Sequence, residues 1–144
     1  MVLKEAVIAS ERIPSLIPQA FPMIMVDNLW AFNEESVTSG LKIHADNIFC
    51  QNGKLSAPGI IEHMAQTIAL YTGYQYFLRN EPAPTGYIGA IKSVEVISLP
   101  TVGDELVSTA VVLHEIMGVT LVKVIITCNV KEIAYSEMKT VIAR

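Results

Sequence analysis

The sequence predicts an α+β fold in which an antiparallel sheet wraps round one long central helix. Three observations indicate it: an apolar segment with helical period from Ala57 to about Arg79, strand-like segments on both sides of it, and short turn sequences between those strands. Several antiparallel strands and one apolar helix bury one another when the sheet curls round the helix. The length of 144 residues suits a single domain that covers residues 1–144.

Before the helix, the chain is predicted to form a short helical turn and a hairpin. The turn begins near Ile13 and ends before Pro18, because proline disfavours helical geometry in the residue that precedes it. Two strands follow, Met23–Phe32 and Ser36–His44, on either side of the polar turn 33–35. Residues 46–56 form a long irregular segment, and such loops tend to carry function.

The central helix is predicted to be buried, since it is apolar on two faces. One apolar stripe consists of Ile61, Met64, Ile68 and Tyr71. The neighbouring stripe consists of Ala65, Ala69 and Gly73. Ser56 suits the helix cap, Pro58 suits the first turn, and Asn80 with the prolines at 82 and 84 ends the segment.

The rest of the chain is predicted to form four strands. Their bounds are Tyr87–Ile97, Glu105–Ile116, Val119–Val130 and Ile133–Ile142. Met117-Gly118 and Lys131-Glu132 are the predicted tight turns between the last three.

Composition and charge restrict the partners. Apolar residues make up 51% of the chain and the mean hydropathy is +0.43, so we expect part of the surface to be buried in a homo-oligomer or a hetero-oligomer. The net charge is −4 and the cationic residues are scattered, so nucleic acid is not an expected partner. The N-terminus lacks an apolar signal segment, and the run Met23–Val26 is far too short to span a membrane, which predicts a cytoplasmic protein.

Neither a cofactor nor a metal is predicted. The sequence contains no Gly-rich phosphate loop, dinucleotide fingerprint or metal-ligand cluster. Cys50 and Cys128 lack metal-ligand spacing, and a reducing compartment would keep both as thiols. We interpret them as packing residues.

Glu62 is the best candidate for chemistry, because it lies in the first turns of an apolar helix. Glutamate is rarely buried without a partner, so this carboxylate is either satisfied by hydrogen bonds or kept for a function. A carboxyl group removed from water holds its proton more tightly, which suits a general acid near neutral pH. Gln66, one turn later, is placed to orient the carboxyl through its amide. The alternative stays open that Glu62 faces solvent and stabilises the helix N-terminus by its charge.

The three histidines are weaker candidates. His44 ends the second predicted strand, from which it can reach a site at the helix start. His63 points about 100° away from Glu62 on the helix, so it is interpreted as a polar tip on a packed or interfacial face. His114 lies in mid-strand without an acidic partner and has no predicted role.

Three segments in the right order resemble the bacterial 3-hydroxyacyl-[acyl-carrier-protein] dehydratases. Leu16–Asp27 is similar to their leading motif, in which an apolar pair and a proline precede another proline and a strand ending in aspartate. Ile60–Gln66 is similar to their central-helix motif, and Gly86–Leu106 to the segment that leads into their later strands. The likeness runs from about residue 12 to residue 144.

The resemblance implies a hotdog fold, with two subunits pairing edge to edge and the active sites at their interface. In the family, a histidine from one subunit faces a glutamate or aspartate on the central helix of the other. Glu62 matches that acid, and Gln66 matches the glutamine that supports it. The backbone amides at the helix start, around Pro58, Gly59 and Ile60, match the place where the thioester carbonyl is polarised.

Two positions depart from the family pattern. The family histidine usually stands in a Gly-His-Phe-Pro stretch before the helix, whereas residues 49–56 contain no histidine, and the His-Arg pair of the leading motif is replaced by Gln19-Ala20. The short loop and the Glu-His-Met-Ala-Gln helix resemble a divergent branch associated with aryl-polyene and flexirubin-type pigment or lipid pathways. In the aryl-polyene systems one subunit keeps the histidine and its partner lacks it, so the two can form a mixed dimer.

The resemblance therefore predicts a dehydratase that converts 3-hydroxyacyl thioesters, bound to acyl carrier protein or CoA, into trans-2-enoyl thioesters in fatty-acid or polyene-type lipid biosynthesis. Elimination needs a base for the α-proton and an acid for the hydroxyl, so His44 or a histidine of a partner chain has to complete the pair. If neither does, the chain is a non-catalytic acyl-binding subunit of a hetero-oligomeric dehydratase. A hotdog acyl thioesterase, in which a helix carboxylate activates water, is the other alternative.

Overall fold

Residues 5–143, which the computed structural model describes, form a 3-10 helix, one long α-helix and eight strands. The 3-10 helix is Ser10–Ser15 and the long helix, α1, is Ala57–Leu78. The strands are β1 Asn28–Phe32, β2 Ser36–Lys42, β3 Cys50–Gln51, β4 Lys54–Leu55, β5 Gly86–Val96, β6 Glu105–Ile116, β7 Val119–Cys128 and β8 Lys131–Ile142.

Six of these strands form one antiparallel sheet in the order β1-β2-β6-β7-β8-β5. Strands β6, β7 and β8 follow one another as a meander, whereas β5 precedes them in the chain and pairs with β8 at the edge of the sheet. The predicted α+β architecture, an antiparallel sheet with one main helix packed on its inner face, is confirmed.

The core lies between α1 and the inner face of the sheet. Ile60, Met64 and Leu70 of α1 are fully buried, as are Ile126 of β7 and Met138 of β8. Burying each side chain of this size contributes about 1.5–3 kcal/mol. This contact between helix and sheet therefore fixes the position of α1, on which the candidate site is built.

The turn between β7 and β8 differs from the prediction. It is formed by Asn129 and Val130, with φ of 52° and 67°, while Lys131 already pairs with Cys128 in the sheet. A two-residue hairpin turn matches the strand twist when both central residues have positive φ, which Asn tolerates well. The prediction at Lys131-Glu132 was wrong because the apolar Val130 extended the strand pattern. The turn at Met117-Gly118 is confirmed.

Several boundaries before α1 also differ. The 3-10 helix begins three residues before Ile13, β1 begins at Asn28 rather than Met23, and β2 ends at Lys42, so His44 lies beyond the strand. The segment 46–56 is less irregular than expected, because Asn52-Gly53, both with positive φ, joins β3 and β4 into a small hairpin. Within residues 5–143, no helix has the length and apolar character needed to cross a membrane.

Candidate functional site

Of the three backbone positions predicted to polarise a thioester carbonyl at the start of α1, one has an N–H that is free within the described residues. Ser56, in extended conformation, precedes the helix, and its carbonyl accepts the N–H of Ile60 at 3.1 Å. Pro58 carries no N–H at all. The prediction that Pro58 and Ile60 donate to a thioester carbonyl is therefore corrected. The Gly59 N–H remains as the candidate for polarising that carbonyl.

The loop before α1 is fixed against the helix and against the segment before β6. A Cβ added to Gly59 would lie 2.6 Å from Cβ of Phe49, so only glycine allows this close approach. On the other side, the Leu55 N–H donates to the Pro100 carbonyl at 3.0 Å, and the Val102 N–H donates to the Gly53 carbonyl at 2.9 Å. The loop in which the related dehydratases usually carry their histidine is therefore an ordered hairpin here.

The carboxylate of Glu62 is held by Gln66. Glu62 is half-buried, whereas Gln66 is fully buried. The Gln66 Nε2 donates to Glu62 Oε2 at 2.7 Å, the i to i+4 contact that the sequence suggested. One carboxylate oxygen is thereby oriented by an amide, and the other is left to receive or deliver a proton.

Gln66 also binds the segment before β1. Its Nε2 donates to the Met23 carbonyl at 2.7 Å, and its Oε1 accepts the Met25 N–H at 2.6 Å. Together with the contact to Glu62, these bonds use both hydrogens and the oxygen of the amide, so the amide has one orientation.

His63 lies on the buried side of α1. Its Nδ1 is 2.6 Å from the Met25 carbonyl and its Nε2 is 2.6 Å from Oγ of Ser108 on β6. Burial lowers the pKa of His63 below its usual 6.5, although the hydrogen bond to Met25 and the charge of Asp27 act in the opposite direction. The imidazole is fully engaged inside the protein and does not face the side of the helix that carries Glu62.

The other two histidines do not join Glu62 either. His44 is exposed and lines a groove of about 350 Å³ together with Asp27, Lys42 and Asp46. His114 is exposed near the end of β6. Among residues 5–143, the Glu62 side chain accepts a hydrogen bond from Gln66 and forms none with a histidine.

An apolar cavity of about 380 Å³ runs along the same stripe of α1 as Glu62. Ala65, Ala69 and Gly73, which follow Glu62 at three, seven and eleven residues, line one wall. The opposite walls come from the start of β5 and the end of β8. Ala65 and Ala69 are half-buried and border the cavity, whereas Gly73 is buried against the Leu16 backbone, as the sequence pattern predicted.

Gln19 is a site residue that the sequence analysis did not single out. It lines the apolar cavity, and its Oε1 is buried without a hydrogen-bond partner among the described residues. A buried unpaired acceptor costs about 1–3 kcal/mol, so such groups usually meet water or a ligand. The only available signal was that Gln19 stands where the related dehydratases have a histidine.

Comparison with known proteins places the chain in a family. Residues 11–140 match the family model described as ApeP-like, ApeP dehydratase. Among curated proteins, none matches the chain in sequence. In structure, the chain is similar to the dehydratase heterocomplex ApeI:P from Xenorhabdus doucetiae, with a TM-score of 0.84 and 20% identity over 92% of this chain and 91% of that chain.

Two further structures share the fold at lower similarity. One is smu.793 from Streptococcus mutans bound to acetyl CoA, with a TM-score of 0.67 and 15% identity over 87% of this chain and 92% of that chain. The other is a hypothetical thioesterase with coenzyme A from Streptococcus pneumoniae, with a TM-score of 0.65 and 11% identity over 80% of this chain and 84% of that chain. These likenesses establish a hotdog fold, and the family match over residues 11–140 establishes that this chain belongs to the ApeP dehydratase family.

Proposed function

We propose that this chain is one subunit of a hetero-oligomeric 3-hydroxyacyl-thioester dehydratase, in which it supplies Glu62 and its partner supplies a histidine. One observation carries the proposal: Gln66 holds the carboxylate of Glu62 in a fixed place, while none of the three histidines of the chain hydrogen-bonds to it. An acid without its base is half of an elimination site.

The chemistry then divides between the subunits. The histidine of the partner removes the proton from the carbon next to the thioester carbonyl, and that electron pair forms the double bond. The hydroxyl on the next carbon leaves as water with the proton that the Glu62 carboxyl delivers. The Gly59 N–H polarises the thioester carbonyl, and the proton taken up by the histidine restores Glu62 for the next turnover.

The free edge of β5 is the surface on which the partner docks. Tyr87, Ile88, Ile91 and Val94 are between 38% and 60% exposed, and within residues 5–143 this strand pairs with β8 alone. A long apolar edge strand exposes unpaired backbone groups that another strand satisfies well. The similar structure from Xenorhabdus doucetiae is a dehydratase heterocomplex, which supports a hetero-oligomer.

The apolar cavity beside α1 takes the acyl chain of the substrate. Its position on the Glu62 side of the helix puts an acyl tail alongside Ala65 and Ala69 when the thioester lies near the helix start. The structure of smu.793 with acetyl CoA supports a thioester as the ligand class. We propose acyl carrier protein as the carrier and, from the sequence resemblance, an aryl-polyene-type or fatty-acid pathway in the cytoplasm.

The test is turnover by the assembled complex. The chain is purified together with a histidine-bearing dehydratase of the same kind of pathway, and formation of enoyl thioester from 3-hydroxyacyl thioester is measured. Glu62→Gln keeps the shape and the amide contact but removes the acid, so turnover should fall about 10²- to 10⁴-fold while the melting temperature changes little. Glu81→Gln, an exposed glutamate beyond the end of α1, is the matched control and should keep full turnover.

Three results would contradict the proposal. Unchanged turnover in Glu62→Gln would remove the acid role. Equal rates for the partner alone and for the mixture would show that this chain contributes nothing. Release of free thiol without enoyl product would indicate the thioesterase alternative.

A further inference from the structure

Two buried side chains from adjacent turns of α1 hold the same short backbone segment. Gln66 binds the Met23 carbonyl and the Met25 N–H, and His63 lies 2.6 Å from the Met25 carbonyl. This stretch precedes β1 and lies outside the sheet. The two side chains therefore replace the ladder hydrogen bonds that the segment lacks.

The proton positions on His63 follow from its neighbours. A carbonyl oxygen only accepts, so Nδ1 must carry the hydrogen that is donated to Met25. In the neutral imidazole Nε2 is then an acceptor, and the Ser108 hydroxyl donates to it. Complete burial lowers the pKa of His63 and favours this neutral form.

We infer that His63 is a positioning residue for Glu62, acting through Met25 and Gln66. This inference rests on the proposed role of Glu62 as the acid. The oxygen of the Gln66 amide is held by the Met25 N–H, and the same amide group donates to Glu62 Oε2. His63 holds the Met25 carbonyl and thereby the backbone of the residue whose N–H binds the Gln66 amide. That amide cannot rotate without leaving a buried group unpaired, so the carboxylate stays in place.

Two substitutions test the hydrogen bonds of the two His63 nitrogens one at a time. The side-chain amide of Asn places its nitrogen near the position of Nδ1, and that of Gln places its nitrogen near Nε2. His63→Asn therefore keeps a donor for Met25 and loses Ser108, whereas His63→Gln keeps a partner for Ser108 and loses Met25. Each variant loses one buried hydrogen bond, so both should lower the melting temperature by a similar amount.

Turnover should distinguish the two variants. A misplacement of about 1 Å at a catalytic group costs up to roughly 10²-fold, so kcat of the assembled complex should fall about 10- to 100-fold in His63→Gln, with KM within a few-fold. In His63→Asn, kcat should stay within a few-fold of that of the original chain. Thr38→Val is the matched control, because it removes the Thr38–Thr109 hydrogen bond at 3.3 Å between β2 and β6 and involves neither His63 nor Met23 or Met25.

Nitrogen-15 NMR of the unmodified chain gives a readout that does not need turnover. It should show the neutral tautomer with the hydrogen on Nδ1, and the opposite tautomer would overturn the inference. Equal kcat losses in His63→Asn and His63→Gln would overturn it as well. If Glu62→Gln is harmful but these two variants are equal, only the role of His63 fails; if Glu62→Gln is harmless, the proposed function itself fails.

Discussion

Replacing Gly73 by alanine should loosen the packing of the N-terminal segment on α1. A Cβ at this buried position would lie 1.9 Å from the Leu16 carbonyl oxygen and 2.9 Å from its carbon, so the Leu16 backbone must retreat by at least about 1 Å. That movement disturbs Ile13 and Ile17, which are buried with Leu16. Overpacking of this kind costs about 1–3 kcal/mol, and the shifted side chains add to it.

Alanine has one opposing effect, since it favours the helix over glycine by about 1 kcal/mol. The contact is with backbone rather than with the end of a flexible side chain, so the clash should dominate and the net loss should be about 2 kcal/mol. For a domain of this size, that lowers the melting temperature by roughly 5–10 °C. Thermal unfolding is measured by circular dichroism at fixed protein concentration, because assembly makes the midpoint concentration-dependent.

Gly86→Ala is the matched control. It lines the same cavity, but its added Cβ would meet only the Val141 carbonyl oxygen at 3.8 Å, an ordinary contact. Its stability should therefore stay within about 0.5 kcal/mol of the original chain. If Gly73→Ala were as stable as this control, the close crossing of Leu16 over α1 would be incorrect.

Three further predictions concern the buried polar groups and the sheet edge. Burial lowers the pKa of His63 from its usual 6.5. Below pH 6.5 the imidazole of the unfolded chain therefore becomes protonated while that of the folded chain stays neutral. As the pH drops below 6.5, the free energy of unfolding should therefore decrease by up to about 1.4 kcal/mol per pH unit. Denaturant titrations at a series of pH values should show that the free energy of unfolding of His63→Asn depends less steeply on pH. Ser108→Ala should lose about 1–3 kcal/mol by stranding the imidazole, whereas Ser136→Ala, whose hydroxyl is buried without a partner among the described residues, should be neutral or stabilising in the same titration. Ile91→Glu on β5 should weaken the mixed complex at least about tenfold by light scattering, and Ile116→Glu at the far end of β6 should leave it intact.

The regular elements were predictable because local patterns determine them. The helical period fixed α1 to within one residue of its end at Leu78, and the strand pattern gave β6 with its observed bounds. The errors fall where the pattern is ambiguous. Val130 is typical of a strand but occupies a turn with positive φ. Asn52-Gly53 is a typical hairpin turn, but no hairpin was predicted there.

The candidate site was only partly predictable, since its contacts join residues that are far apart in the chain. The pair Glu62 and Gln66 lies within one turn of a helix, so its contact follows from spacing. The contacts of Gln66 with Met25 and of His63 with Ser108 cross 41 and 45 residues, and no local pattern reports them. Polar residues at positions 63, 66 and 67 of an apolar helix were the available sign of a buried network.

The place of β5 in the sheet also affects how the chain is made. Its backbone partner is β8, with Gly86 opposite Ile142 and Val96 opposite Ala134, so the ribosome must finish the whole β6–β7–β8 meander before β5 has a neighbour. Translation proceeds at about 5–20 residues per second, far slower than a hairpin closes. An apolar strand thus waits for seconds beside a forming sheet. We expect this interval, rather than the stability of the finished fold, to limit the yield of the isolated subunit, and synthesis together with its partner to raise that yield.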